Sequence, residues 1–157
     1  MKPLDRPLVR RLFHLGALAT RGMTLGVRGA AIDTDGRVCL VRHTYVGGWQ
    51  LPGGGVERGE TAPEAMTREF REEAEIVLDP GTALRLHGFY RNRAASRRDH
   101  VALYVAPAFR QLRAKRPDRE IAACAFFPLD ALPAATTRAT AERLREIREG
   151  LAPTDLW

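Results

Sequence analysis

The stretch REFREEAEI, from Arg68 to Ile76, sets Glu69, Glu72 and Glu73 three and four residues apart. On a helix that spacing puts the three carboxylates within a sector of about 100°. Like charges so placed repel by roughly 0.2–0.5 kcal/mol per pair. Either water screens that face, or the face holds a cation. Hard divalent ions such as Mg²⁺ take oxygen ligands: one or two carboxylates, waters, and phosphate oxygens of a substrate. Three glutamates can hold more than one such ion. Ions there would polarise a diphosphate and lower the pKa of a bound water, and a remaining carboxylate would take that water's proton. The residue types and their spacing point to phosphoanhydride hydrolysis. The alternative is an ordinary solvated acidic face.

Such a cluster needs a helix with one buried flank. Thr61 and Glu64 have the spacing of a capping box, with Pro63 tolerated in the first turn, and predict a helix to about Ala74. Met66, Phe70 and Ala74 form a separate apolar stripe, and Arg68 stands four residues before Glu72, where it can brace it. The preceding loop TYVGGWQLPGGG is too rich in turn formers to be an element, and its Gly53-Gly54-Gly55 can bring backbone carbonyls close to the acidic face. Upstream, GVRGAAI and RVCLVRH read as strands joined at DTDG as a hairpin. Downstream, ALRLHGFY, HVALYVAPAF and IAACAFFPL read as strands separated by the basic loops RNRAASRRD and RQLRAKRPDRE. TTRATAERLREIREG has helical spacing at Ala139, Leu144 and Ile147, with a stop at Gly150. The alternation predicts an α/β fold with a mixed sheet covered on both faces.

The segment GGGVERGETAPEAMTREFREEAEI resembles the signature of the Nudix hydrolase family. That signature is Gly, five residues, Glu, seven residues, Arg-Glu, an apolar residue, any residue, Glu-Glu, any residue, Gly and an apolar residue. Gly54, Glu60, Arg68-Glu69, Phe70, Glu72-Glu73 and Ile76 take these positions in register. WQLPGGG and EIAACAFFPLDALP are similar to the family's approach to the signature and to its late strand. The resemblance implies an α/β/α sandwich that hydrolyses a nucleoside diphosphate linked to another group, using Mg²⁺ or Mn²⁺. It implies Glu69, Glu72 and Glu73 as metal ligands with the Gly54 carbonyl, Arg68 as the residue that orients a glutamate, and Glu60 as support. Glu120, six residues before Phe126, matches an additional ligand or base of some members. One position departs: Glu75 stands where the family has a glycine suited to a left-handed helix cap.

The candidate substrate-binding residues are Arg42, Trp49 and Gly53. Trp49 and Tyr45 flank the glycine loop and can stack on a base, and Arg42 and His43 end the strand leading to it; packing and solvation are the plainer alternatives. Arg91, Arg93, Arg97 and Arg98 make a basic loop suited to a polyphosphate or an RNA 5′ end, or to nothing but water. Asp99 and His100 are weaker candidates. Family signs for particular substrates are missing: Arg91 stands at the proline of many ADP-ribose hydrolases, and Thr136 and Thr137 near the asparagine that reads an oxidised guanine. The expected partner is a small nucleotide, with RNA a less favoured alternative. A different class remains open: a nucleotide sensor that binds without cleaving.

At 157 residues, 45% hydrophobic and 28% charged, the chain reads as one globular domain. From Gly53 to Ile76 seven Glu against three Arg give −4, so the rest of the +6 chain carries +10. An acidic island in a basic body suits a metal cluster ringed by phosphate-attracting groups. Cys39 and Cys124 sit in apolar runs, which suggests buried thiols and a reducing compartment, hence the cytoplasm. Residues 1–24 lack the features of a signal peptide or a transmembrane span. Leu8, Leu12, Leu15 and Ala19 instead predict an accessory amphipathic helix that packs on the domain or on a partner, including a second copy. The catalytic domain is expected over 25–150, followed by a tail at 151–157 whose Trp157 is placed against that helix.

Overall fold

The structure is a computed structural model that describes residues 15–17 and 22–157. The expected N-terminal helix therefore lies almost wholly outside the described residues. Within them the elements run β1 (Thr24–Ala31), β2 (Arg37–His43), α1 (Ala62–Ala74), β3 (Ile76–Leu78), β4 (Arg85–Arg91), β5 (Asp99–Ala106), β6 (Phe109–Gln111), β7 (Ile121–Pro128) and α2 (Arg138–Glu149).

Asp33 builds the turn between β1 and β2. Its carboxylate accepts the N–H groups of Asp35 and Arg37 at 3.0 and 2.9 Å. The expected turn forms, but the expected hairpin does not. Ile32 and Val38 make one isolated bridge, after which β1 runs parallel to β5 and β2 antiparallel to β7. The burial pattern gives the reason. Ala30 and Ala31, and the run Val38 to Val41, are buried in succession, so each strand is covered on both faces and belongs to the interior.

β5 lies between β1 and an antiparallel β4, which makes the sheet mixed. Successive residues feed two cores. Val27, Ala31 and Ala102 pack with Met66 and Phe70 of α1, while Ala30, Leu40, Leu103 and Tyr90 pack with Leu144 of α2. Helices thus cover opposite sides of the strands, as the α/β/α sandwich requires. The pair β3–β6 was not legible as strands, being three residues each. Pro107, which has no N–H to donate, separates β6 from the long run that feeds β5.

The tail at 151–157 joins the domain. Arg91 donates its N–H to the Asp155 carbonyl and accepts from Trp157, which extends the β4 edge. Trp157 packs edge-on against Tyr90 at 5.5 Å. Below it, Glu146 accepts from Tyr90 Oη at 2.9 Å and pairs with Arg143 at 2.8 Å; Arg143 also donates to the Leu156 carbonyl. Buried charge on α2 is invisible to an apolar-spacing count, which found Leu144 but passed over this pair.

α1 ends at Glu75, which adopts the left-handed φ of 56° and ψ of 30°, with its N–H directed at the carbonyls of Phe70 and Arg71. The chain accepts the strain of a side chain there. Its carboxylate pairs at 2.9 Å with Arg113, whose side chain is 76% exposed, and such a pair contributes little. Glu75→Gly is expected to stabilise by about 0.5–1 kcal/mol, raising Tm by about 1–4 °C. A lower Tm would show that the Arg113 pair outweighs the strain.

Candidate active site

The capping box forms as expected. The Thr61 hydroxyl accepts from Glu64 N–H at 3.4 Å, and the Glu64 carboxylate accepts from Thr61 N–H at 2.8 Å. Met66, Phe70 and Ala74 are buried, which commits that flank of α1 to the core and turns the acidic sector to the glycine loop.

Arg68 ties this sector together. Its Nε and Nη2 donate to the two oxygens of Glu60 at 2.7 and 3.1 Å, and Nη2 also to the Gly55 carbonyl at 3.1 Å. Its Nη1 donates to Glu69 Oε1 at 2.7 Å and to Glu72 Oε2 at 3.2 Å. These bonds, Glu60 foremost, hold the guanidinium pKa above its usual value, and the same bond lowers that of Glu60. The brace expected on Glu72 exists, but it is the longest of three carboxylate contacts.

Glu69 and Glu73 are buried, whereas the Glu72 side chain is 59% exposed. Glu69 lies against Gly54 so closely that a Cβ there would stand 2.4 Å from Oε1. Burial raises the Glu69 pKa, and the charges of Glu73 and Glu72 add to this while Arg68 opposes it. Glu73 Oε2 accepts from Gly53 N–H at 2.8 Å, and Oε1 lies 2.7 Å from His43 Nε2. Gly53 itself has a φ of 146°, and a Cβ there would lie 2.0 Å from the Val27 carbonyl oxygen.

Do these groups fit a divalent cation? The donors are all hard oxygens, and desolvation plus mutual repulsion disfavours the charged state of Glu69, which a cation would relieve. The close cradle that Gly54 leaves for the Glu69 carboxylate fits the same purpose. The donors share a sector but are not yet converged: among the described residues no three His, Cys, Asp or Glu side chains surround one point. Glu73 is turned to His43, and Glu69 and Glu72 to Arg68. The Gly54 carbonyl already accepts from Val27 N–H at 2.8 Å, leaving its second lone pair. Donor chemistry fits the ion; convergence would require side-chain rotation.

The remaining sequence candidates scatter around this centre. Glu120 immediately precedes β7, beside Ile121, the register partner of His43, and its carbonyl accepts from Thr44 N–H at 2.9 Å. It reaches the same end of β2 as His43, but among the described residues no hydrogen bond joins it to the three glutamates. The Arg42 guanidinium lies over the Trp49 ring at 5.6 Å, and Phe127 meets that ring edge-on at 4.8 Å, so Trp49 is partly occupied by its own neighbours. Tyr45 is exposed, with its ring 5.2 Å from that of His43. Asp99 is taken by Thr24 and Asn92 at 2.6 and 2.8 Å, and His100 stacks on Phe89.

Three participants were missed or misplaced. His43, read as a phosphate contact, is buried and holds Glu73. Lys115, read only as part of a basic loop, donates to the Glu72 carbonyl at 2.7 Å, where a cation complements the end of α1. Arg28 lies inside an apolar strand, where a lone arginine in the run GVRGAAI was a readable signal. Its Nη1 donates to the Leu51 and Gly53 carbonyls at 2.9 and 3.0 Å.

Comparison with known proteins gives a consistent picture. The family model described as NUDIX domain matches residues 23–148. The crystal structure of a MutT NUDIX hydrolase from Burkholderia pseudomallei superposes with a TM-score of 0.64 at 31% identity, covering 79% of this chain and 97% of that one. A MutT-like protein of Streptomyces ambofaciens is 35% identical over 69 residues, 44% of this chain and 43% of its own length. An RNA pyrophosphohydrolase of Halorhodospira halophila is 54% identical over 41 residues, 26% of this chain and 23% of its own. The chain spans less than half the length of these last two relatives.

Proposed function

We propose that this chain, which belongs to the NUDIX family, is a pyrophosphohydrolase that cleaves a phosphoanhydride bond in a nucleoside diphosphate joined to another group. The observation that carries the reading is the gathering of Glu69, Glu72 and Glu73 beside Gly53 and Gly54, with Arg68 bonded to Glu60, Glu69 and Glu72. Glu69, Glu72, Glu73 and the Gly54 carbonyl would hold Mg²⁺ or Mn²⁺. When bound, such an ion supplies Lewis-acid polarisation of a phosphoryl oxygen and a more acidic water. The chain's own residues do the rest. Arg68 fixes the carboxylates, a glutamate of the cluster or Glu120 accepts the water's proton, and His43 and Gly53 hold Glu73 in place. Arg42 and Trp49 are the proposed contacts to the nucleoside side of the substrate. The two free thiols, Cys39 and Cys124, fit an activity in the cytoplasm.

The test is a Mg²⁺-dependent hydrolysis screen over nucleoside triphosphates, nucleotide sugars, ADP-ribose, dinucleoside polyphosphates and triphosphorylated RNA. Turnover of one class names the substrate. No turnover, with tight nucleotide binding retained, would replace the hydrolase by a nucleotide sensor.

A second reading, RNA 5′ ends as substrate, is favoured by the loop between β4 and β5, where Arg93, Arg97 and Arg98 are exposed. If RNA is the substrate, its KM will rise steeply with salt; indifference of the screen to RNA removes this reading.

A further inference from the structure

We infer that Arg28 is a specificity-determining residue that grips a phosphoryl oxygen of the substrate; this rests on the hydrolase reading above. Arg28 lies mid-strand in β1, between Val27 and Gly29, both buried against α1 or the glycine loop. Its guanidinium reaches along the same loop to the residues around Gly53. Nη1 spends both hydrogens on the carbonyls of Leu51 and Gly53. Gly53 is thus held from two ends: its carbonyl by Arg28, its N–H by Glu73. The guanidinium therefore sits at the edge of the carboxylate cluster, in a fixed pose.

What remains of the fork is unused. Among the described residues Arg28 is in no ion pair, and Nε and Nη2 carry no hydrogen bond. Neither nitrogen is fully sealed from solvent, although the side chain as a whole is largely buried. The carboxylates that act on it most, Glu73 and Glu69, do so without a direct bond, since Glu73 is engaged with His43 and Gly53 and Glu69 with Arg68. Burial pulls the guanidinium pKa down and Glu73 pulls it back, the condition of a cation short of a direct anionic partner.

A largely buried arginine with the Nε–Nη2 edge of its fork unused matches a phosphate better than a base carbonyl. The charge demands an anion, and two parallel N–H groups fit two non-bridging oxygens. Lysine would keep the charge but lose the fork. The pose beside Gly53 places that phosphoryl group next to Glu69 and Glu73, where the scissile anhydride must lie. Arg28 would therefore discriminate for substrates with a second phosphoryl group and against monophosphates.

The experiment is a titration of the full-length protein with inorganic pyrophosphate, with and without Mg²⁺, followed on the ¹⁵N-labelled arginine Nε–H resonances assigned through bonds. The Arg28 resonance is expected to shift and saturate with pyrophosphate and to stay still with adenosine. In Arg28→Lys, pyrophosphate affinity should fall by about tenfold to a hundredfold, with KM rising more than kcat falls. A purely structural Arg28 would leave its resonance unmoved while calorimetry registers pyrophosphate binding, and that outcome overturns the inference. A shift with adenosine instead would assign Arg28 to the base and overturn it equally. If wild type neither binds pyrophosphate nor cleaves any anhydride, the hydrolase reading fails first. The wild-type titration stands even if the lysine variant does not fold.

Discussion

Glu72→Gln is expected to lower Mg²⁺-dependent turnover by about 10²–10⁴-fold while leaving the fold intact. The separation of the two effects comes from position. The Glu72 side chain is 59% exposed and its single bond, to Arg68, is 3.2 Å long. Arg68 keeps its shorter bonds to Glu60 and Glu69 when Glu72 is neutralised. Removing an exposed charge beside Glu69 even relieves some repulsion. Tm should therefore move by no more than about 1–2 °C, as for an exposed surface substitution. Turnover depends on the charge itself, because a glutamine offers a neutral oxygen to the cation and cannot accept a proton. Circular dichroism and a Mn²⁺ titration monitored by electron paramagnetic resonance would accompany the assay. Activity within threefold of wild type, with unaltered Mn²⁺ binding, would remove Glu72 from the site and leave Glu69 and Glu73 to carry it.

Gly53→Ala is expected to act in the opposite order, destroying the fold before the chemistry can be read. The added Cβ would meet the Val27 carbonyl oxygen at 2.0 Å and Arg28 Cα at 2.9 Å, both backbone atoms that cannot swing aside. The φ of 146° is also a region that side chains disfavour. Strain and overpacking together put the loss at about 3–5 kcal/mol, a shift in Tm of roughly 6–20 °C for a domain of this size. Relief by moving the loop would break the Gly53 bonds to Glu73 and Arg28, so activity falls as well. Thermal unfolding monitored by circular dichroism decides it. A shift of less than about 2 °C would mean that the loop relaxes freely and that its close approach to β1 is not required.

The acidic sector, the capping box, the buried stripe of α1 and the family were all readable from local pattern. The first three depend on residues within about two helical turns, and the family on one unbroken stretch from Gly54 to Ile76, so spacing alone specifies them. The strands β4, β5 and β7 were readable for the same reason. What failed were judgements about partners. DTDG signalled a turn, yet β1 and β2 leave it for different neighbours, because burial on both faces is a property of the layers above and below them. β3 and β6 are too short to show a period and exist through pairing with each other.

The same division runs through the site. The sequence by itself determined which residue types are present at which spacing: three glutamates on one helical sector, an arginine to brace them, glycines ahead of them. Only the tertiary structure decided that Glu69 and Glu73 are buried while Glu72 is exposed, that His43 is bonded to a carboxylate, and that Arg28 joins from β1. The physical reason is that charge, burial and hydrogen bonding across strands and loops are set by residues far apart in the chain. His43 and Glu73 lie 30 positions apart, and Arg28 and Gly53 lie 25 apart. No local period connects such pairs; they meet only because β1, β2 and α1 converge on one glycine loop.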